Sequence, residues 1–236
     1  MLPVIQRVSK IVVVVALSAC AGSASLATTP PASTTVVAST STTSTQPTAT
    51  TRTTFDRSGH TPLERCLERA VFGDPAESPY VLPFPAGAGY AVLQSYCNDD
   101  GSHENQLAYD FAAPIGSEII AARGGFVSVV VEGTSDTANT SQFNYIFIRH
   151  DDGTVAFYAH LTRDGAVVEV GDTVEQGDLI GYSGSSGRTG EVIHFGVYGV
   201  DPPRDDADRA INFSNAEGQL DERGGLRVGA FYRATE

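Results

Sequence analysis

The stretch YIFIRHDDGTVAFYAHL, residues 145–161, predicts two adjacent β-strands joined by a tight turn. Both halves are rich in β-branched and aromatic residues, which are the types favoured in strands. Between them, His150-Asp151-Asp152-Gly153 has the composition of a hairpin turn, and we interpret His150 as a structural residue of that turn. The stretch therefore predicts an antiparallel β-hairpin.

Similar short runs occur on both sides of this hairpin, separated by glycine-containing turns. They lie near residues 90–96, 118–122, 126–132, 179–183 and 192–200. Regular spacing of short strands predicts an all-β domain, with an antiparallel sheet or a β-sandwich-like core at about residues 83–200. An apolar patch at residues 228–232 is expected to add a last edge strand.

One helix is predicted before the strands. Thr61 is a typical N-cap, Pro62 suits the first helical position, and Glu64 completes a capping box. The helix is expected to end near Phe72 and to carry Cys66. The folded domain is therefore predicted to cover residues 59–236.

Residues 1–20 have the features of a secretory signal. Arg7 and Lys10 precede a seven-residue apolar run at residues 11–17, which is too short for a membrane span of roughly 20 residues. The end of the segment, Leu-Ser-Ala-Cys20, resembles a bacterial lipobox, which implies lipid attachment at Cys20 and a location on the outer face of the cell membrane. The alternative is an ordinary signal cleaved near Cys20, which gives a secreted or periplasmic protein.

Residues 21–58 are predicted to be a disordered linker, because they are mostly Ser, Thr, Ala and Pro and cannot bury enough apolar surface to fold. Two cysteines follow in the predicted domain, Cys66 and Cys97. In an exported protein such a pair most simply forms a disulfide, and two buried thiols are the alternative. No CxxC spacing supports metal binding by these cysteines.

The charge of the chain excludes several classes of function. The formal net charge is −13, and it becomes −15 without Arg7 and Lys10. An acidic chain of this kind is not expected to bind nucleic acid or to adhere to anionic lipid. Lys10 is the only lysine, so the remainder of the chain has no site for a Schiff base, for a phosphate-loop lysine or for a biotinyl or lipoyl group.

Three residues have the side chains that a catalytic zinc site requires. Such a site uses three His, Asp or Glu ligands and leaves a fourth position open. His103 and Asp110 lie close together in sequence, and His194 follows much later, in a predicted strand. They are the candidate ligands, with Glu104 and Asn105 as alternative donors. His60 is expected to face solvent.

The order of several motifs resembles the lysostaphin/LytM-type zinc metallopeptidases, over about residues 83–198. The motifs that carry this resemblance are His103 with Asp110-Phe-Ala-Ala-Pro-Ile-Gly116, Tyr158-Ala-His160-Leu161, Val170-Gly-Asp-Thr-Val174, Gly177-Asp-Leu-Ile-Gly181 and His194. The resemblance implies an all-β core with a groove and a Zn2+ held by His103, Asp110 and His194. It also implies that His160 is a catalytic histidine and that peptidoglycan peptides are the substrate.

The chain departs from that family at two points. Val192 occupies the position of a second catalytic histidine, and seven positions rather than four separate His103 from Asp110. Losing a general base typically costs on the order of 10²–10⁴ in rate, which His160 or Tyr158 is expected to compensate only in part. The sequence therefore predicts an impaired zinc endopeptidase, and the alternative is an inactive protein that binds peptidoglycan or regulates a partner wall hydrolase.

Overall fold

The computed structural model describes residues 59–99, 101–187, 189–204 and 207–236. The predicted signal, Cys20 and the linker lie outside these residues. Within the described part of the chain, no helix is both long and apolar enough to cross a membrane. The described elements are the helix α1 (Pro62–Arg69), a short 3-10 helix (Pro75–Glu77) and the strands β1 (Gly89–Gln94), β2 (Ala108–Phe111), β3 (Glu118–Ile120), β4 (Gly125–Val131), β5 (Asn144–Arg149), β6 (Val155–Ala166), β7 (Thr173–Val174), β8 (Leu179–Ser183), β9 (Ile193–Tyr198), β10 (Ala216–Glu217) and β11 (Phe231–Ala234).

These strands form one antiparallel sheet system, so the all-β prediction is confirmed. The main path runs β10-β11-β1-β2-β9-β6-β5-β4-β7, while β3 pairs with β8 and β8 also pairs with β6. The predicted central hairpin is β5-β6, in which Phe147 pairs with Phe157. The last strand, β11, is not at the edge of the sheet as expected, because β10 pairs with its outer side.

The core lies against one face of the central strands. Ile146, Tyr158 and Phe195 are fully buried there, on the face opposite to Tyr145, Phe157 and His194. The Tyr158 hydroxyl accepts a hydrogen bond of 2.8 Å from the Ala122 N–H, which satisfies both buried groups. The opposite face of the same strands remains available for a site.

Helix α1 is connected to the sheet in two ways. Its N-terminus has the predicted capping box between Thr61 and Glu64, but the helix ends at Arg69 rather than near Phe72. The Arg69 guanidinium forms an ion pair of 3.0 Å with the buried Asp208. Cys66 forms a disulfide with Cys97, just after β1. The helix is thereby linked to the loop that leads into β2.

Candidate metal centre

Strand pairing brings the first two candidate ligands together. Asp110 in β2 pairs directly with His194 in β9, and directly paired residues project from the same face of an antiparallel sheet. His194 Nδ1 lies 2.8 Å from Asp110 Oδ1, and both side chains are buried. Two residues that are 84 positions apart thus form one polar pair.

The third candidate, His103, reaches the pair from the turn before β2. Its Nδ1 lies 3.2 Å from the Ser95 carbonyl oxygen. Because a carbonyl only accepts, Nδ1 carries the proton, and Nε2 points to Asp110 Oδ1 at 3.4 Å. The Asn98 N–H also donates to the His103 carbonyl. The long His103-to-Asp110 spacing is therefore accommodated by a turn that folds back on β1.

The three residues fit a zinc ion. One ligand atom from each of His103, Asp110 and His194 lies within 4.8 Å of the other two, and all three residues are buried. Two imidazoles and one carboxylate are typical zinc donors, and in a tetrahedral zinc site the ligand atoms are about 3.4 Å apart. His103 Nε2 already lies 3.4 Å from Asp110 Oδ1, whereas the 2.8 Å between His194 Nδ1 and Asp110 Oδ1 would widen slightly on binding one ion.

The same geometry keeps Asp110 ionised. Burial raises the pKa of its carboxyl, but the close contacts with His103 and His194 lower it by more, so the pKa lies well below its usual range. The second carboxylate oxygen, Oδ2, accepts a hydrogen bond of 2.9 Å from Gln94 Nε2. Gln94 Oε1 accepts from the Ser102 N–H next to His103. Gln94 therefore positions two candidate ligands, a role that sequence reasoning missed because glutamine is rarely a ligand itself.

His160 lies beside the group without joining it. Its ring centroid is 5.9 Å from that of His194, and its Nδ1 lies 2.8 Å from the Ser186 carbonyl oxygen. Nδ1 is therefore the donor, and Nε2 carries the lone pair of the neutral ring. Burial, helped by the neighbouring charge of His194, lowers the pKa of His160. The ring is thus neutral and able to accept a proton at neutral pH.

The backbone at His160 explains why this ring reaches the site. His160 has a φ of 65°, in the left-handed region that costs a non-glycine residue about 1–3 kcal/mol. This conformation breaks the alternation of β6, so that Tyr158 faces the core while His160 lines the cavity. The expectation that Tyr158 could compensate for a missing base is therefore wrong.

Val192 supplies no group for proton transfer. It immediately precedes β9, is 3% exposed and forms an isolated bridge with Gly184. The adjacent Glu191 points elsewhere, and its carboxylate accepts from the Ile115 N–H at 3.3 Å.

Of the alternative metal donors, Asn105 accepts a hydrogen bond from Arg69 and Glu104 is exposed. Neither of these two residues is part of the metal-type group found in the described residues.

The group lies in a cavity of about 490 Å³ on the free face of the sheet. Apart from histidines and Asp110, the cavity has polar uncharged and aromatic walls. They comprise Gln94, Ser102, Gln106, Phe143, Phe157, Ala159, Gly187, Thr189 and Tyr198.

The other two histidines do not line this cavity. His150 is in the β5-β6 turn, as predicted, where its Nδ1 contacts the Gly124 carbonyl oxygen. His60 is exposed and contacts Glu68 at 3.0 Å.

Fold and site together define an antiparallel β protein with a buried His-Asp-His group in an open cavity. Residues 104–206 match the model of Peptidase family M23. The matched range includes Asp110, His160 and His194, and it begins one residue after His103.

Several known proteins are similar to this chain. A stretch of 87 residues is 40% identical to the Peptidoglycan DD-endopeptidase ShyC of Vibrio cholerae serotype O1, and it covers 36% of this chain but only 18% of that protein. A structure of LytU is 26% identical, covers 52% of this chain and 81% of that chain, and has a TM-score of 0.42. The catalytic domain of lysostaphin from Staphylococcus simulans is 25% identical, with 53% and 87% covered and a TM-score of 0.38.

Proposed function

We propose that this protein is a zinc-dependent endopeptidase that cleaves peptide bonds in peptidoglycan, at a rate reduced by the valine at position 192. The convergence of His103, Asp110 and His194 on one point, beside an unprotonated His160 nitrogen, carries this proposal. The M23 match over residues 104–206 and the likeness to a peptidoglycan endopeptidase support the substrate class.

Each of these residues has a definite task in the proposed reaction. His103, Asp110 and His194 would hold the Zn2+. When bound, the ion activates water and polarises the carbonyl of the substrate. His160 Nε2 would accept the proton of the attacking water and pass it to the leaving amine, and the hydrogen bond from Nδ1–H to the Ser186 carbonyl oxygen keeps the ring oriented. With a valine at 192, one imidazole has to perform the proton transfers that two residues share in the resembling family.

The experiment measures metal and cleavage on the same purified protein. Elemental analysis should find about one zinc per chain, and incubation with purified wall material should release new amino termini. His194→Ala should abolish both, whereas the exposed His60→Ala should change neither. Absence of zinc from the unaltered protein would refute the proposal.

A second candidate function is favoured by Val192 alone. A domain that retains the metal but has lost one proton-transfer residue can bind wall peptide without cutting it, or can regulate a partner hydrolase. Zinc binding together with wall binding, and no new amino termini after long incubation, would support this alternative.

The location at the membrane is proposed from the sequence alone. Leu-Ser-Ala-Cys20 supports lipid attachment at Cys20 and display of the domain on the outer face of the membrane. Metabolic labelling with a fatty acid should mark the protein, and Cys20→Ala should remove the label and release the protein from the membrane fraction.

A further inference from the structure

Strand β6 contains a β-bulge at the histidine that lines the cavity. Asn144 of β5 pairs with Leu161, whereas the next residue of β5, Tyr145, pairs with Ala159. Two steps along β6 therefore correspond to one step along β5, and His160 is the extra residue. An extra residue of this kind is left out of the strand pairing, and the bulge changes the direction of its side chain. The bulge thus accounts for the direction of the His160 ring.

This bulge needs support from its surroundings. The left-handed backbone of His160 is unfavourable for a residue other than glycine, and such a conformation persists only where neighbouring groups hold it. A bulge also interrupts the ladder of hydrogen bonds between the strands. Because buried carbonyl groups are nearly always hydrogen-bonded, the carbonyls that follow His160 require other donors.

The side chain of Asn144, which is fully buried, supplies these donors. Its Nδ2 lies 3.0 Å from the Leu161 carbonyl oxygen and 3.2 Å from the Thr162 carbonyl oxygen, which are the two carbonyls after the bulge. The same nitrogen lies 2.8 Å from the Thr134 carbonyl oxygen, and Oδ1 accepts from the Thr134 N–H at 2.9 Å. Since Nδ2 faces carbonyl oxygens and Oδ1 faces an N–H, the orientation of the amide is fixed.

Ser186 connects Asn144 to the His160 ring. Its buried Oγ accepts a hydrogen bond of 3.1 Å from the Asn144 backbone N–H and donates one of 2.8 Å to the Leu161 carbonyl oxygen. The backbone carbonyl of Ser186 is the group that accepts from His160 Nδ1. One buried hydrogen-bond network therefore holds both the backbone of the bulge and the ring that the bulge carries.

We propose that Asn144 is a positioning residue that, together with Ser186, fixes the bulge and so holds the His160 ring with Nδ1 protonated and Nε2 free to accept a proton. Asn144 acts through the backbone after His160 and through Ser186, and it needs no contact with substrate or metal. This inference rests on the proposed function, because the proton acceptor in that reaction is His160.

The kinetic test uses the full-length, zinc-loaded protein and a soluble wall peptide. Asn144→Asp replaces the donor with a charged acceptor that faces carbonyl oxygens, so the bulge and the ring should shift. Misplacement of a reacting group by about 1 Å can cost on the order of 10² in rate, and we expect kcat to fall about 10- to 100-fold. KM and zinc affinity should stay within about twofold, because the hydrogen bonds of the Asn144 side chain do not involve the candidate ligands.

A second variant and a matched control accompany this substitution. Ser186→Ala removes the hydroxyl but keeps the carbonyl that accepts from His160, so kcat should fall by less and in the same direction. This milder variant tests the network even if Asn144→Asp does not fold. Asn212 is also buried, and its Nδ2 donates to the Gly73 carbonyl oxygen at 2.6 Å. Asn212→Asp should lower stability to urea and leave kcat per zinc-loaded molecule unchanged.

A spectroscopic test does not depend on activity. In zinc-free protein labelled with 15N-histidine, long-range 1H–15N spectra should place the proton of the neutral His160 ring on Nδ1, and His160→Gln identifies its signals. The hydrogen bond of one ring nitrogen determines which nitrogen is protonated. Asn144→Asp and Ser186→Ala should therefore shift the ring toward the Nε2–H form, whereas Asn212→Asp should not.

The outcomes separate this inference from the proposed function. An unchanged His160 tautomer and unchanged kcat in folded Asn144→Asp and Ser186→Ala would overturn the positioning role. A raised KM with unchanged kcat would also overturn it, because Asn144 would then shape the binding of substrate. A shifted tautomer in a protein that never cleaves wall peptides would retain the support of His160 by Asn144 and refute the peptidase.

Discussion

Asp110 and His194 face each other across β2 and β9, with 2.8 Å between Oδ1 and Nδ1. His103 Nε2 approaches the same carboxylate oxygen at 3.4 Å. Both imidazoles thus converge on one atom of a carboxylate whose pKa is held well below its usual range. The negative charge that a cation requires is therefore present at neutral pH.

Gln94→Leu should weaken zinc binding. Gln94 donates to Asp110 and accepts from the Ser102 N–H beside His103, so leucine removes both supports. Loss of an outer partner of this kind typically costs 10–100-fold in metal affinity. Competition with a chromogenic chelator measures the change, and Leu93→Ala, at the exposed neighbouring position, is the control. Unchanged zinc affinity in Gln94→Leu would show that the ligands are held in place without Gln94.

Val192→His should raise the rate of wall-peptide cleavage. A second imidazole at this position restores a proton-transfer group, and such groups are typically worth about 10²–10⁴ in rate. Val192→Ala is the matched control, because it opens space without adding a base. Release of new amino termini measures the rate. If the histidine variant of an active protein is no faster than the parent, the explanation for the reduced rate is wrong.

Removal of the disulfide should lower both stability and zinc affinity. Cys66 and Cys97 are 31 residues apart, and closing a loop of that length contributes about 3–4 kcal/mol. Cys97 also begins the turn that positions His103, with its N–H bonded to the Gln106 carbonyl at 2.9 Å. Urea unfolding and chelator competition on the Cys66→Ser/Cys97→Ser variant measure the two effects. A destabilised variant with unchanged zinc affinity would show that the disulfide stabilises the fold but does not position the zinc ligands.

Activity should fall in acid with a midpoint below pH 6.5. The proposed base is neutral His160, whose pKa is lowered by burial. Protonation occurs only as the pH falls through this lowered value, so the proton acceptor remains available at pH 7. The pH profile of kcat on a soluble wall peptide locates the midpoint. A midpoint above pH 7 would contradict this assignment.

Tyr158→Phe should destabilise the fold without any direct effect on the site. The Tyr158 hydroxyl is the acceptor for the buried Ala122 N–H, and an unsatisfied buried donor costs about 1–3 kcal/mol. Urea unfolding measures the loss, and the half-buried Tyr182→Phe should show little change. A loss of kcat per zinc-loaded molecule would instead place Tyr158 in the chemistry.

Local sequence patterns predicted most of the central sheet. The β5-β6 hairpin is specified by two runs of β-branched and aromatic residues that are neighbours in sequence, and by the Asp151-Asp152-Gly153 turn that joins them. Sequence patterns do not predict β2, because it has only four residues, 108–111, and includes the charged Asp110. That position is tolerated because Asp110 is paired with histidines rather than with apolar core residues.

The sequence by itself determined which residue types were available: two histidines and an aspartate suited to zinc, a third histidine, and no imidazole at position 192. Only the tertiary structure decided how they face one another. Alternation fixes relative faces only while a strand remains regular, and the left-handed backbone of His160 turns that ring to the cavity while Tyr158 enters the core. Register between distant strands then placed Asp110 opposite His194, because pairing and burial, rather than spacing along the chain, set that contact.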